Sequence, residues 1–163
     1  MTSKDPPVAK PSTSSKYLDP TAGPLITPRF IVSLLMVVLG IAWVVYYYVA
    51  VRVDPTTIPA PKPGGPGFVA DLEKWNYAIG FGLMMLGLAI SAHPATPLGR
   101  GRGVVTGMLG CFVIGLIWIC TFYVISEPDS LAKVPVFNDL GQYNLLVGIA
   151  FMAVGFTFAT RWE

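Results

Sequence analysis

No Asp, Glu, Lys, Arg or His interrupts four stretches of this 163-residue chain: Phe30–Val51, Trp75–Ala92, Val104–Ile125 and Asn144–Thr160. Charged residues make up 12% of the whole, about half the share usual in a soluble domain, while 53% are hydrophobic. Ion pathways and proton relays place an ionisable side chain within the membrane, and these stretches supply none. The single histidine, His93, sits beside Pro94 with no companions at metal-ligand spacing, and reads as a solvated interfacial residue. Carboxylates are scattered, with no nucleophile and base recognisably together. Lys62 lies in a Pro/Gly-rich stretch, but neither the glycine spacing nor the helix after it fits a phosphate loop. No catalytic, cofactor or metal site is expected. A net charge of +2 gives no basis for nucleic-acid binding. Cys111 and Cys120, nine positions apart in one apolar run, fall on nearly opposite helix faces. They are expected to be small packing residues, uninformative about redox compartment.

What is present is apolar length. The first and third runs each hold 22 residues, the second 18 and the fourth 17. At about 1.5 Å rise per residue the longer pair reach about 33 Å and the shorter pair about 26 Å, against a hydrocarbon core of about 30 Å. Aromatic anchors suit the short pair: Trp75 and Tyr77 open one, and Tyr143 and Trp162 flank the other. Four such runs leave too little polar surface for a soluble protein. The expected fold is therefore an all-α integral membrane protein with four transmembrane helices, about 30–51, 75–92, 104–125 and 144–160.

Residues 1–28 are polar and hold six prolines; they read as a disordered cytoplasmic tail rather than a removable signal peptide. Asp54–Phe68 reads as a flexible loop. Residues 29–93 would form a first two-helix hairpin, 94–103 a cytoplasmic link and 104–163 a second hairpin. Four spans put both termini on one side. That side carries seven Lys or Arg against four opposite, and the link holds Arg100 and Arg102 with no acid. The positive-inside rule places both termini in the cytoplasm of a multi-pass plasma-membrane protein.

The hairpins repeat. A shift of 75 residues lays Gly40, Trp43 and Tyr48 on Gly115, Trp118 and Tyr123. A shift of 68 lays Asp71, Leu72 and Asn76 on Asp139, Leu140 and Asn144, and Gly80, Met84 and Gly87 on Gly148, Met152 and Gly155. An ordered set of Gly, Trp, Asn and Asp points to duplication. Because each copy has two spans, the copies share one orientation and are parallel repeats about an axis along the membrane normal.

Gly80, Gly87 and Ser91, then Gly148, Gly155 and Ala159, lie near one helical stripe. Such a stripe lets a neighbouring backbone approach, either within the hairpin or from a partner. Trp43 and Trp118 lie about 12 Å inside their helices, too deep for the aromatic belt; they either pack between helices or grip another protein's span. Asn76 and Asn144 begin the second helices, where capping of exposed N–H groups is the expected role. These ten residues are the candidate helix–helix or partner contacts.

The stretch Trp75-Asn-Tyr-Ala-Ile-Gly-Phe-Gly followed by Gly87 resembles the second helix of the actinobacterial CrgA cell division family. So does Tyr143-Asn-Leu-Leu-Val-Gly through Gly155 to Thr160-Arg-Trp162-Glu. Phe30-Ile-Val-Ser-Leu-Leu and Gly115-Leu-Ile-Trp118 resemble parts of its first helix, so that the resemblance covers Pro28–Glu163. It implies a non-enzymatic membrane adaptor or regulator of septum formation and divisome assembly, with FtsZ, FtsQ and septal penicillin-binding proteins as partners. Two features depart from the family pattern. Members are single hairpins, and they begin with a dense Lys/Arg cluster where this chain reads Met-Thr-Ser-Lys-Asp-Pro-Pro. A small four-helix transporter or channel subunit, or an accessory subunit of another envelope complex, is the alternative. Homo-oligomerisation is left open.

Overall fold

The computed structural model describes residues 24–54 and 57–160. The expected tail, up to residue 23, and Trp162 lie outside the described residues. Thr27 begins the first helix, α1 (Pro28–Tyr46): its Oγ1 accepts from the Phe30 amide at 3.2 Å, and Pro28 takes the first-turn position that tolerates it. The helix widens into a π-helical turn over Tyr47–Val51 before Arg52 turns into extended backbone. A short α2 (Gly67–Asp71) precedes α3 (Trp75–Ser91). After the link come α4 (Arg102–Val124), the short α5 (Pro128–Leu131) and α6 (Phe137–Leu140), and α7 (Tyr143–Ala159). No strand occurs among the described residues.

The four apolar stretches thus fall on α1, α3, α4 and α7. Two helices, Pro28–Val51 and Arg102–Val124, are long and apolar enough to cross a membrane, with mean hydropathies of 2.4 and 2.2. Only 22% of each such window is buried, whereas the core helix of a soluble protein is mostly covered. Their outer faces expose Leu34, Leu35, Val38 and Leu39 on α1 and Val113, Ile114, Leu116 and Ile117 on α4. An apolar surface this continuous suits lipid better than water. The helices α3 and α7, 17 residues each, are apolar but shorter.

Each hairpin closes on a pair of glycines. A Cβ placed on Gly40 would lie 2.5 Å from the Gly80 carbonyl oxygen and 2.9 Å from the Met84 nitrogen. In the second hairpin a Cβ on Gly115 would lie 2.7 Å from the Gly148 oxygen. Near the other end, a Cβ on Gly87 would meet the Ser33 carbonyl at 2.7 Å. These contacts are backbone against backbone, and nothing flexible can yield. The sequence singles out the stripe on the second helix of each pair, and the structure shows what faces it: Ser33, Gly40 and Val44 on α1, and Cys111, Gly115 and Ile119 on α4. Ser33 is compatible with that close face because its hydroxyl turns back to the Phe30 carbonyl at 2.9 Å.

The two hairpins meet through α3 and α7, so the helices lie in the order α1, α3, α7, α4. Tyr77, Phe81 and Met85 of α3 pack with Leu140, Val147 and Phe151 of the second hairpin. Further along, Leu88 and Ala92 pack with Val154 and the fully buried Phe158. Both central helices run from the loop end of the hairpins toward the link, parallel to each other.

Gly40→Ala and Gly115→Ala are each expected to destabilise their hairpin by about 1–3 kcal/mol through overpacking. Gly110→Ala is the contrast: its Cβ meets nothing within 4 Å, and removing a helical glycine there should be neutral or stabilising by about 0.5–1 kcal/mol. Thermal unfolding in detergent, followed by circular dichroism, checks all three.

Candidate functional site at the loop end of the hairpins

The helix ends at the loop side bring together two fully buried asparagines and a largely covered ion pair. Val51 completes the π turn and is 1% exposed, and the chain then turns so that Arg52 leaves the first hairpin and reaches the second. Its Nε donates to Oδ2 of Asp139, the third residue of α6, and the same oxygen accepts from the Tyr77 hydroxyl at 2.6 Å. Both ion-pair side chains are largely covered, 10% and 15% exposed. The Arg52 guanidinium also lies 4.8 Å from the centre of the Tyr48 ring and 3.8 Å from Asp54. The hydrogen bond to Asp139 holds Arg52 above its ordinary pKa, so its charge is permanent at physiological pH. Tyr47 meets Tyr77 edge-on at 5.1 Å, which braces the phenol that reaches Asp139.

This clip joins the hairpins once, not twice. The counterpart of Asp139 is Asp71, which is exposed; the counterpart of Arg52 is Glu127 and that of Tyr77 is Leu145. Neither Glu127 nor Leu145 can donate to a carboxylate. The repeat therefore breaks at the one inter-hairpin ion pair among the described residues. Arg52 and Asp139 are 87 residues apart, and no local pattern in the sequence announces them.

Asn76 and Asn144 take a role other than the expected capping. Asn76 Nδ2 donates to the carbonyls of Val69 at 2.7 Å and Glu73 at 2.9 Å. Asn144 Nδ2 does the same to Phe137 at 3.0 Å and Gly141 at 2.8 Å. Both side chains are fully buried, and neither α3 nor α7 has a side-chain cap. The reason is the short helical turn before each span. Carbonyls of that turn and of the bend after it face the incoming helix, and although those of Glu73, Phe137 and Gly141 already accept a backbone N–H, a donor seven and three residues later gives two carbonyls a partner at once. Sequence alone shows the repetition of Asn, not that α2 and α6 fold back over it.

Trp118 stacks on Phe137 at 4.4 Å and meets Phe81 of the first hairpin edge-on at 5.6 Å, so it lies between the hairpins. Trp43 packs against the same cluster. Each hairpin buries an indole N–H and, at matching positions, an asparagine Oδ1 that have no hydrogen-bond partner, Trp43 with Asn76 and Trp118 with Asn144, and the second also buries the Oδ1 of Asn138 in the same state. Gly80, Gly87, Gly148 and Gly155 face inward within their own hairpins. Ser91 is buried and donates to Leu88 at 2.6 Å, whereas Ala159 is half-buried.

At the opposite end, the link is organised around a residue that no sequence pattern singles out. Thr96 is fully buried; its hydroxyl reaches the Ser91 and His93 carbonyls and accepts from the Gly99 amide at 3.1 Å. Exposed His93 receives the Ala95 amide at 3.0 Å and has an Arg29 nitrogen 3.2 Å from its ring.

Asp139→Ala should cost about 1.5–3 kcal/mol of stability, because it removes a hydrogen bond to a charged group and leaves Arg52 and Tyr77 unpaired. Asp71→Ala, its counterpart in the repeat, should change stability by less than about 0.5 kcal/mol. Parallel melts of the two variants check the asymmetry. Thr96→Val should loosen the link, read as faster proteolysis between Ser91 and Arg102 without loss of helix content.

Comparison with known proteins bears on this repeated architecture. The family model described as Cell division protein CrgA matches the chain twice, over residues 3–93 and again over 97–163. The CrgA cell division protein of Streptomyces avermitilis is 38% identical over 66 residues, covering 40% of this chain and 71% of that protein. That of Corynebacterium glutamicum strain R is 43% identical over 54 residues, covering 33% of this chain and 47% of the relative. That of Mycobacterium sp. strain KMS is 34% identical over 56 residues, covering 34% and 54%. The chain thus spans about half the length of these last two. No solved structure matches. The two matches fall one on each hairpin and together take in the Asn-anchored helix starts and the facing glycines; the chain belongs to the CrgA family of cell division proteins.

Proposed function

We propose that this chain is a non-enzymatic adaptor of the division septum, a covalent pair of CrgA hairpins crossing the plasma membrane four times with both termini in the cytoplasm. The observation that carries the reading is the double family match, one for each hairpin. The repeated Asn geometry supports it, since the same two-carbonyl anchor recurs at a spacing of 68 residues. Duplication and fusion would explain both.

The mechanism is positional. A protein that holds partners together raises their local concentration without turnover. The resemblance to CrgA nominates FtsZ, FtsQ and the septal penicillin-binding proteins. The stripe glycines are occupied within the hairpins, so partner spans are left the exposed outer faces of α1 and α4, and cytoplasmic partners the N-terminal residues. Trp43 and Trp118 then act as supports of the inner packing. The broken repeat gives the two halves different loop ends, which suits two different partners.

A fluorescent fusion of the full chain is expected to concentrate at division septa, and the tagged protein to co-purify divisome components from native membranes. An even distribution through division, with a different envelope complex enriched, would sink the proposal. Topology has its own test: single cysteines at Ser130 and at Ala95, in a chain with both native cysteines replaced, should react with an impermeant thiol reagent from outside and inside the cell respectively.

A further inference from the structure

A groove of about 680 Å³ opens at the loop end between the parallel helices α3 and α7. Its walls are matched positions of the repeat: Trp75 with Tyr143, Ala78 with Leu146, and Gly82 with Ala150. It therefore straddles the local two-fold axis of the hairpin pair. Packing does not explain Gly82. Most other glycines of the spans are held by a backbone or side chain pressing on them, but a Cβ at Gly82 would meet nothing within 4 Å. A helix-interior glycine costs about 0.5–1 kcal/mol relative to alanine, and no contact among the described residues requires it. The space it leaves is the floor of the groove.

The mouth carries charge of both signs. Glu73 and Lys74 are exposed there, and neither has an ion pair among the described residues. Glu73 holds a left-handed backbone, φ 43°, which an L-residue adopts at some cost. Asp139 also borders the groove, but its Oδ2 is already committed to Arg52 and Tyr77. Trp75 and Tyr143, 73% and 60% exposed, flank the opening where aromatic rings sit at headgroup level.

We propose that this groove is a binding site for one phospholipid with an amine-bearing zwitterionic headgroup, a phosphatidylethanolamine, one of its two acyl chains over Gly82 and its phosphate and ammonium at Lys74 and Glu73. The inference rests on the four-span reading. Volume selects the occupant: at roughly 30 Å³ per water-sized group, the groove holds about twenty methylene-sized groups, one long acyl chain. A partner's helix, a cylinder about 10–12 Å across with its side chains, does not fit. The free carboxylate beside the free ammonium selects the headgroup. A purely anionic lipid would satisfy Lys74 and be repelled by Glu73.

The test is native mass spectrometry of the full-length protein, delipidated in detergent and offered equimolar phosphatidylethanolamine and phosphatidylglycerol of identical chains. The first bound lipid should be phosphatidylethanolamine by about five-fold, the ratio one solvent-exposed ion pair supports. Gly82→Leu should abolish the preference while annular lipid still binds, and Gly110→Leu, an equally open glycine on α4, should leave it intact. Glu73→Gln should bring the two lipids to parity. Should Gly82→Leu fail to fold by circular dichroism, Ala150→Leu fills the groove from the facing wall. Equal binding in the wild type, or a preference that survives the filled groove, overturns the proposal while leaving the four spans standing. So does a photo-crosslinker at position 82 that captures a protein in native membranes instead of a lipid. Complete absence of bound lipid in every variant would overturn the four-span reading along with it.

Discussion

Backbone contact between Gly40 and Gly80, and between Gly115 and Gly148, is the constraint on which the rest of the structure depends. In lipid there is no hydrophobic reward for bringing two apolar helices together, so association rests on close packing and on the few polar groups available. Side chains on either glycine would hold the helices apart. With the backbones this close, Val44 and Ile119 seat against the facing glycines, Tyr47 can meet Tyr77, and the start of each second helix lies beside the end of its first.

That proximity determines what the loop end must do. Each second helix begins under a short helical turn whose carbonyls face inward, and a buried asparagine answers them in both copies. The hairpins are then alike, and two like hairpins side by side would give a symmetric pair. One ion pair breaks the symmetry. Arg52 and Tyr77 of the first hairpin share Asp139 of the second, while the reciprocal positions offer Glu127, Leu145 and Asp71. A tandem chain can hold such a difference, because its halves mutate independently; two copies of one hairpin cannot.

How much of this is legible in the sequence depends on the range of each interaction. The four uncharged stretches fall on α1 with its π turn, α3, α4 and α7 within two residues at each end, because a run of apolar residues is a local signal. The glycine stripe is visible for the same reason: Gly80 and Gly87 repeat along one face of one helix. The orientation of that stripe is not, since facing Gly40 and Ser33 requires a register between helices. The amides of Asn76 and Asn144 look like caps because α2 and α6 are too short to leave a periodic pattern. Arg52–Asp139, across 87 residues, and Thr96, whose three contacts are all to backbone within a tight link, carry no composition or spacing that marks them. The groove at Gly82 is hidden in a stretch that looks like any other glycine-containing span.

Two glycine-closed hairpins join through their second helices and leave their first helices outermost, and disulfide crosslinking in native membranes tests that arrangement most directly. In a chain with Cys111 and Cys120 replaced, cysteines at Met85 and Val154, both in the packing between α3 and α7, should crosslink rapidly within one chain. Cysteines at Leu39 and Leu116, on the exposed faces of α1 and α4, should not. Efficient crosslinking of the second pair within one chain, with none of the first, would contradict the arrangement and the assignment of outer faces that rests on it.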